Sequence, residues 1–261
     1  MRSADVIIFY IMNYLLLPFR ITYKIYFLFC FVFFLILFYP AFKYYLSIPT
    51  RFPKAFIIMR FYAGLLSLLA FVRIKTDGIN NIPASGSYII CPNHSSFIDI
   101  PCLYIIFEKY FVFTGKKEIE KWPLFHIFYT SGMNILVDRE KRSGAFRAFK
   151  RMAEEIDKGN PLLIFPEGTI SKQAPKLTSF KSGAFAMAIQ KQIPILPVTF
   201  ITNWKRLQRG KFFTGQASPG LSEVIIHQPV LTYGFRKNDV DFLQNKVQEI
   251  INEPLKKRYD C

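Results

Sequence analysis

Apolar and polar positions are distributed unevenly along the chain, and the change in pattern divides it. From Ile25 to Phe42 no residue carries a charge, and Lys24 and Lys43 bracket the run. That length is what a helix needs to cross or embed in a bilayer. A second apolar stretch, Ala55 to Val72, is broken only by Arg60, and a shorter one, Val6 to Phe19, ends at Pro18 and Arg20. After Ile74 the pattern becomes short apolar runs separated by amphipathic ones. Residues 87–91, 111–115, 133–138, 162–165 and 193–200 read as strands, several of them continuously apolar and so suited to a sheet covered on both faces. The segment 143–158 reads as a helix with Phe146, Phe149, Met152, Ala153 and Ile156 on one face, stopped by Gly159-Asn160-Pro161. A short strand at 223–227 and a last helix near 240–257 complete the series.

Strands alternating with helices predict an α/β fold: a mostly parallel sheet flanked by helices, preceded by an N-terminal helical membrane anchor. The expected division is 1–72 for the hydrophobic anchoring helices and 73–261 for the α/β domain.

Charge sharpens this. The 261 residues hold 34 Lys and Arg against 18 Asp and Glu, a formal net charge of +16, yet are 51% hydrophobic with 29 Phe. Greasy and basic together point to an anionic membrane surface. The first 72 residues carry Arg2, Arg20, Lys24, Lys43, Arg51, Lys54 and Arg60 against Asp5 alone, placed as interfacial anchors at the ends of apolar segments. Because both flanks of the long run are positive, charge does not choose between one crossing and a re-entrant hairpin. A cleavable signal peptide is disfavoured, since the long run lacks a small-residue cleavage site and a second apolar segment follows it. Cys30, Cys91, Cys102 and Cys261 are widely spaced and form no C-x-x-C. Neither a zinc site nor a disulfide framework is supported. A nucleic-acid partner fits the charge but not the clustering of aromatics in apolar runs.

Candidate chemistry begins at Asn93-His94-Ser95-Ser96-Phe97-Ile98-Asp99, where the first of these strands gives way to a helix. On one continuous helix residues five apart point roughly 140° away from each other. His94 and Asp99 can therefore meet only if His94 sits in the turn and Asp99 in the first turns of the helix, with Ser95 or Ser96 as N-cap. Asp99 then fixes the imidazole tautomer and leaves the other nitrogen as a general base. A merely structural capped turn is the competing reading. A second candidate, Phe165-Pro166-Glu167-Gly168-Thr169, follows a strand at the end where open α/β sheets bind ligands. Beyond it, from Gly168 to Ser222, there are eight basic residues (Lys172, Lys176, Lys181, Lys191, Lys205, Arg206, Arg209, Lys211) and no acidic one. Such a one-signed field attracts anions, whether phosphates or anionic lipid.

These blocks resemble a family. NHSSFID resembles the histidine-x4-aspartate motif, and FPEGT the third motif, of the glycerolipid acyltransferases of the 1-acylglycerol-3-phosphate acyltransferase type. Thr114 to Ile119 through Ile135 to Arg139 is similar to the second motif, and Phe180 to Phe185 followed by Ile195 to Val198 to the segment ending in the fourth. The resemblance implies an O-acyltransferase without cofactor or metal. In it His94 is the general base and Asp99 its orienting partner, with Asn93, Lys116, Glu167, Gly168, Thr169, Lys172 and Lys181 on the substrates. It also implies a lysolipid acceptor, lysophosphatidate above others, an acyl-CoA or acyl carrier protein donor, and a place on the inner membrane facing the cytoplasm. One departure stands out: the family usually has Arg after E-G-T, and this chain has Ile170. Either a lysine such as Lys172, Lys176 or Lys181 supplies the charge, or the acceptor is another lysolipid, such as a lyso-aminolipid. A catalytically silent membrane-binding protein is the non-enzyme alternative.

Overall fold

The computed structural model describes residues 15–138, 141–210, 213 and 215–259. Arg2, Asp5, most of the run from Val6, Arg139, Lys211 and Cys261 lie outside them. In chain order the elements are α1 (Leu17–Tyr45), α2 (Phe52–Leu69), β1 (Val72–Asp77), β2 (Ile89–Pro92), α3 (Asp99–Ile106), β3 (Val112–Lys116), α4 (Ile127–Thr130), β4 (Ile135–Val137), α5 (Arg142–Asp157), β5 (Leu162–Leu163), α6 (Gly183–Lys191), β6 (Ile195–Phe200), β7 (Gly220–Ile226) and α7 (Val240–Tyr259). The seven strands form one sheet in the order β1-β7-β6-β2-β5-β3-β4. Every neighbouring pair is parallel except β6 and β7. The predicted mostly parallel sheet flanked by helices is therefore what forms.

Successive residues of β2 point to opposite faces and join two separate clusters: Ile90 packs with Phe42, Tyr62, Leu66, Phe107 and Phe128, while Ile89 and Cys91 pack with Met152, Phe185, Leu243 and Val247. Helices α1 to α4 thus cover one face and α5 to α7 the other. The hydrophobic N-terminal helices share a continuous core with the sheet, with Phe42 against Phe128 at 4.9 Å between ring centroids. Strand β1 spans the expected boundary at residue 72.

α1 and α2 also keep an apolar face turned outward, including Phe29, Leu37, Ile57 and Phe61, all more than 60% exposed. Two helices, Leu17–Tyr45 of 29 residues and Pro49–Leu69 of 21, are long and apolar enough to cross a membrane. The charges around them do not all behave as interfacial anchors. Arg20 and Lys24 are buried, and Lys24 Nζ donates to the Gly215 carbonyl at 2.7 Å. Arg60 donates to the Tyr104 and Ile105 carbonyls, meeting the orphan acceptors at the end of α3. Lys43 and Lys54 stay exposed, and Arg51 lies over the Tyr44 ring at 4.5 Å.

The helix expected at 143–158 forms as α5, with Met152 and Ile156 of the expected face buried and Phe149 and Ala153 packed against the same cluster. Phe146 departs from it at 69% exposed, and Ala148 and Glu155 join the buried side. Glu155 tolerates burial because Lys158 Nζ and Asn160 Nδ2 donate to its two oxygens at 2.8 and 2.7 Å.

Candidate active site

The end of β2 delivers the histidine. Asn93 Nδ2 donates to the Phe200 carbonyl, and its Oδ1 accepts from the Phe200 amide at 2.7 Å. Its side chain therefore ties β2 to the end of β6; the amide expected on the substrate is spent inside the fold. One residue on, the chain leaves the sheet and turns before α3 begins at Asp99.

The turn is organised by the Asp99 carboxylate. Oδ2 accepts from His94 Nδ1 at 2.9 Å, the Ser95 amide at 2.7 Å and the Ser96 amide at 2.8 Å. Oδ1 accepts from Asn203 Nδ2 at 2.8 Å. The expected cap runs the other way: no side chain caps α3, whose N-cap is Ile98, and the aspartate in its first turn holds the serine amides. A carboxylate at a helix N-terminus also lies at the positive end of the helix dipole. As the carboxylate accepts, the proton of the imidazole sits on Nδ1, and Nε2 presents a lone pair. Among the described residues no hydrogen bond reaches Nε2. The ring lies flat on Phe165, centroids 3.8 Å apart and planes within 17°. Imidazole orientation is thus fixed by one hydrogen bond at its edge and one aromatic wall at its face.

Phe165 opens the second loop, after β5. Gly168 takes a φ of 71°, the left-handed region where glycine is favoured. That turn lets Glu167 point inward, where it is 3% exposed. Its Oε1 accepts from the His94 amide at 2.8 Å, and its Oε2 from the Thr178 amide and hydroxyl at 2.9 and 2.7 Å. Burial pushes this carboxyl above its usual range, while the same three donors pull it back. Both oxygens are committed to the protein, so Glu167 acts on the site by clamping two loops together. The Ser171 amide, donating to the His94 carbonyl at 2.8 Å, closes the same junction from the other side.

The remaining expected residues divide by place. Lys116 ends β3 half-buried, beside Gly115, where any Cβ would meet the Tyr129 ring at 2.5 to 2.7 Å. Lys172 and Lys181 are exposed, and so is Lys176. Thr169 is half-buried, with its hydroxyl accepting from Arg209 Nη1, which also donates to the Ile170 carbonyl at 3.4 Å. The Ile170 side chain is buried. Of the other basic residues in the acid-free run, Lys191 pairs with Asp157 at 2.6 Å and Lys205 lies between the Trp204 and Tyr259 rings. Arg206 Nη1 donates to Ser218 Oγ and the Pro219 carbonyl. The sequence did not single out Phe165, Thr178 or Asn203 as site residues. Asn203 also accepts from Ser222 Oγ.

Comparison with known proteins locates this arrangement. The family model described as Acyltransferase matches residues 73–201, which contain both loops. A 1-acyl-sn-glycerol-3-phosphate acyltransferase of Saccharomyces cerevisiae is 31% identical over 202 residues, covering 77% of this chain and 65% of that protein. Another so named, from Helicobacter pylori, is 36% identical over 122 residues, covering 46% of this chain and 51% of its own. The chain thus spans between about half and two thirds of these relatives. In fold it is similar to the crystal structure of the 1-acyl-sn-glycerophosphate acyltransferase PlsC from Thermotoga maritima. That TM-score is 0.76 at 21% identity, over 91% of this chain and 95% of the other.

Proposed function

We propose that the chain is a member of the acyltransferase family whose model matches residues 73–201, and that it moves a fatty acyl group from a thioester to the free hydroxyl of a lysolipid, 1-acylglycerol 3-phosphate giving phosphatidate. The observation that carries this is the imidazole of His94, held at Nδ1 by Asp99, flanked by Phe165 and left with a lone pair at Nε2. In the reaction Nε2 takes the proton of the acceptor hydroxyl as its oxygen attacks the thioester carbonyl. The C–O bond forms, the tetrahedral intermediate collapses, the C–S bond breaks, and the departing thiolate recovers the proton from the imidazolium. Asp99 stabilises the imidazolium between these steps. No acyl-enzyme is needed, consistent with the lack of a G-x-S-x-G nucleophile elbow in the sequence.

The thioester is carried by coenzyme A or by acyl carrier protein, both anionic, and the excess of cations suits either. The outward apolar face of α1 and α2 seats the protein in the bilayer that holds its substrate, with Lys43, Arg51 and Lys54 among anionic headgroups. In a bacterial cell this is the inner membrane, with the site toward the cytoplasmic donor.

The test is acyl transfer by purified protein in detergent micelles, with lysophosphatidate as acceptor and each donor in turn. His94→Ala should lower kcat by about 100-fold or more. Full activity in that variant would overturn the mechanism. A second reading, acylation of another lysolipid, is favoured by Ile170, which offers no charge to a phosphate. A wild-type preference for a headgroup without a phosphomonoester would select it.

A further inference from the structure

We propose that Arg209 is the residue that binds the acceptor's phosphomonoester, a role that rests on the acyl-transfer reading above. Three observations lead to it.

The first is position. The Ser96 hydroxyl and the Phe97 amide both donate to the Leu207 carbonyl, at 2.7 and 3.3 Å, and Ser96 bridges to Gln208. The segment carrying Arg209 is therefore laid along the His94-to-Asp99 turn. Its guanidinium reaches the second loop as well, at the Thr169 hydroxyl and the Ile170 carbonyl. Those two residues follow Gly168 and precede Ser171, whose amide binds the His94 carbonyl. Arg209 thus spans the junction of the two loops that build the candidate active site.

The second is unspent capacity. A guanidinium has five N–H donors, and the bonds to Thr169 and Ile170 use only Nη1. Nε and Nη2 make no hydrogen bond, and no carboxylate pairs with the cation, among the described residues. A half-buried arginine without a counter-ion, in a stretch without acidic residues, is a site waiting for an anion. Nε and Nη2 lie on one edge of the fork and fit two oxygens of a phosphate side by side.

The third is the behaviour of the alternatives. Lys191 is ion-paired, Lys205 is engaged by aromatic rings, and Arg206 donates to the loop at Ser218 and Pro219. Lys172, Lys176 and Lys181 are exposed, where a flexible ammonium is screened and confers little geometric selectivity. Ile170 buries its side chain. The positive charge absent at position 170 therefore comes from a residue 39 positions later, aimed at the same turn.

The experiment compares wild type, Arg209→Gln and Arg209→Lys on two acceptors, lysophosphatidate and uncharged monoacylglycerol, together with thermal stabilisation of the detergent-solubilised protein by each lipid. Arg209→Gln should raise KM for lysophosphatidate about 10- to 100-fold while kcat stays within a few-fold. On monoacylglycerol, which depends on the same loop bonds to Thr169 and Ile170 but has no phosphate, the loss of kcat/KM should be at least about ten-fold smaller than on lysophosphatidate, and Arg209→Lys should fall between. Lysophosphatidate should stabilise wild type more than Arg209→Gln even if no donor supports turnover. That outcome would support the binding role while counting against the acyl-transfer reading. Equal losses on both acceptors, an unchanged KM for lysophosphatidate, or equal stabilisation of wild type and Arg209→Gln would each overturn the assignment.

Discussion

The carboxylate of Glu167 accepts the backbone amide of His94 at 2.8 Å across 73 positions of sequence. The residue that names the second loop thereby holds the backbone of the residue that names the first. Its other oxygen takes the Thr178 amide and hydroxyl, so this one side chain satisfies three donors from two loops. An amide in its place has one acceptor oxygen and sets an N–H against either the His94 or the Thr178 amide. Glu167→Gln should therefore cost about 1 to 3 kcal/mol of stability and at least ten-fold in kcat, since an unmade buried bond carries its full desolvation penalty. Denaturant midpoints and kcat measured on the same preparation check both. A Gln variant with wild-type kcat would show that the clamp does not position His94.

Asp99→Asn follows the same logic closer to the imidazole. Oδ2 holds three N–H groups and Oδ1 a fourth, from Asn203. The amide replaces one acceptor by a donor facing a donor, and also removes the charge that stabilises the imidazolium. A loss of about 100- to 10,000-fold in kcat is expected, with KM for the acceptor little changed. Asn203→Leu, which leaves the His94 bond intact and leaves Oδ1 only the Ser95 hydroxyl at 3.5 Å, should lose less, about ten-fold. Equal losses in the two variants would mean that Asn203 supports the turn as a whole rather than Asp99.

What the sequence made legible here was local. His94, Asp99 and Glu167 sit in short blocks whose residue order is itself informative, and the turn-then-helix geometry for a five-residue spacing followed from helical angles. Phe165 as a stacking wall, Asn203 and Arg209 were hidden because each meets the site only through tertiary folding, Asn203 from 104 positions away. The exposure of Phe146 was illegible for another reason. A helical wheel finds the apolar stripe of α5, but how much of it is covered depends on the neighbours, and Phe146 lies outside the contact that takes in Met152 and Ile156. Likewise a basic residue beside an apolar run is the mark of an interfacial anchor, yet Lys24 had a carbonyl acceptor 191 residues away. Strand β1, with alternating burial through Val72, Ile74 and Thr76, was missed because it begins where the apolar run stops.

A pH effect on stability is expected from the far side of the sheet. His227 contacts Thr199 Oγ1 at 2.8 Å, and that hydroxyl donates its single proton to the Ile251 carbonyl. His227 Nε2–H is then the donor to Thr199, and burial lowers the imidazole to about 4. Unfolded histidine titrates near 6.5, so between about 4 and 6.5 the unfolded chain binds the extra proton. The contribution is therefore complete above pH 6.5 and is lost as pH falls toward 4, by up to about 3 kcal/mol. His227→Gln keeps an N–H donor but does not titrate. Its unfolding midpoint in denaturant should fall less steeply than that of wild type between pH 6.5 and 4.5. Parallel slopes would assign the wild-type acid sensitivity to other groups.

The two faces of the N-terminal helices give opposite expectations for substitutions of similar size. Phe42 is fully buried, edge-on to Tyr62 and Phe128, so Phe42→Ala opens a cavity in the core shared with the sheet. It should cost about 3 to 5 kcal/mol and lower the thermal midpoint in detergent, whatever the lipid. Leu37 and Phe61 are 61% and 63% exposed. Leu37→Lys with Phe61→Lys should leave the midpoint in detergent nearly unchanged. Each lysine costs about 2.5 to 3.5 kcal/mol at the centre of a bilayer-embedded helix, so flotation with vesicles should fall steeply. Activity on substrate in detergent micelles should persist while activity on vesicle-borne substrate drops. If the double variant floats as wild type does, the outward apolar face is not what holds the protein to the membrane, and the basic residues at the α1–α2 turn become the place to look.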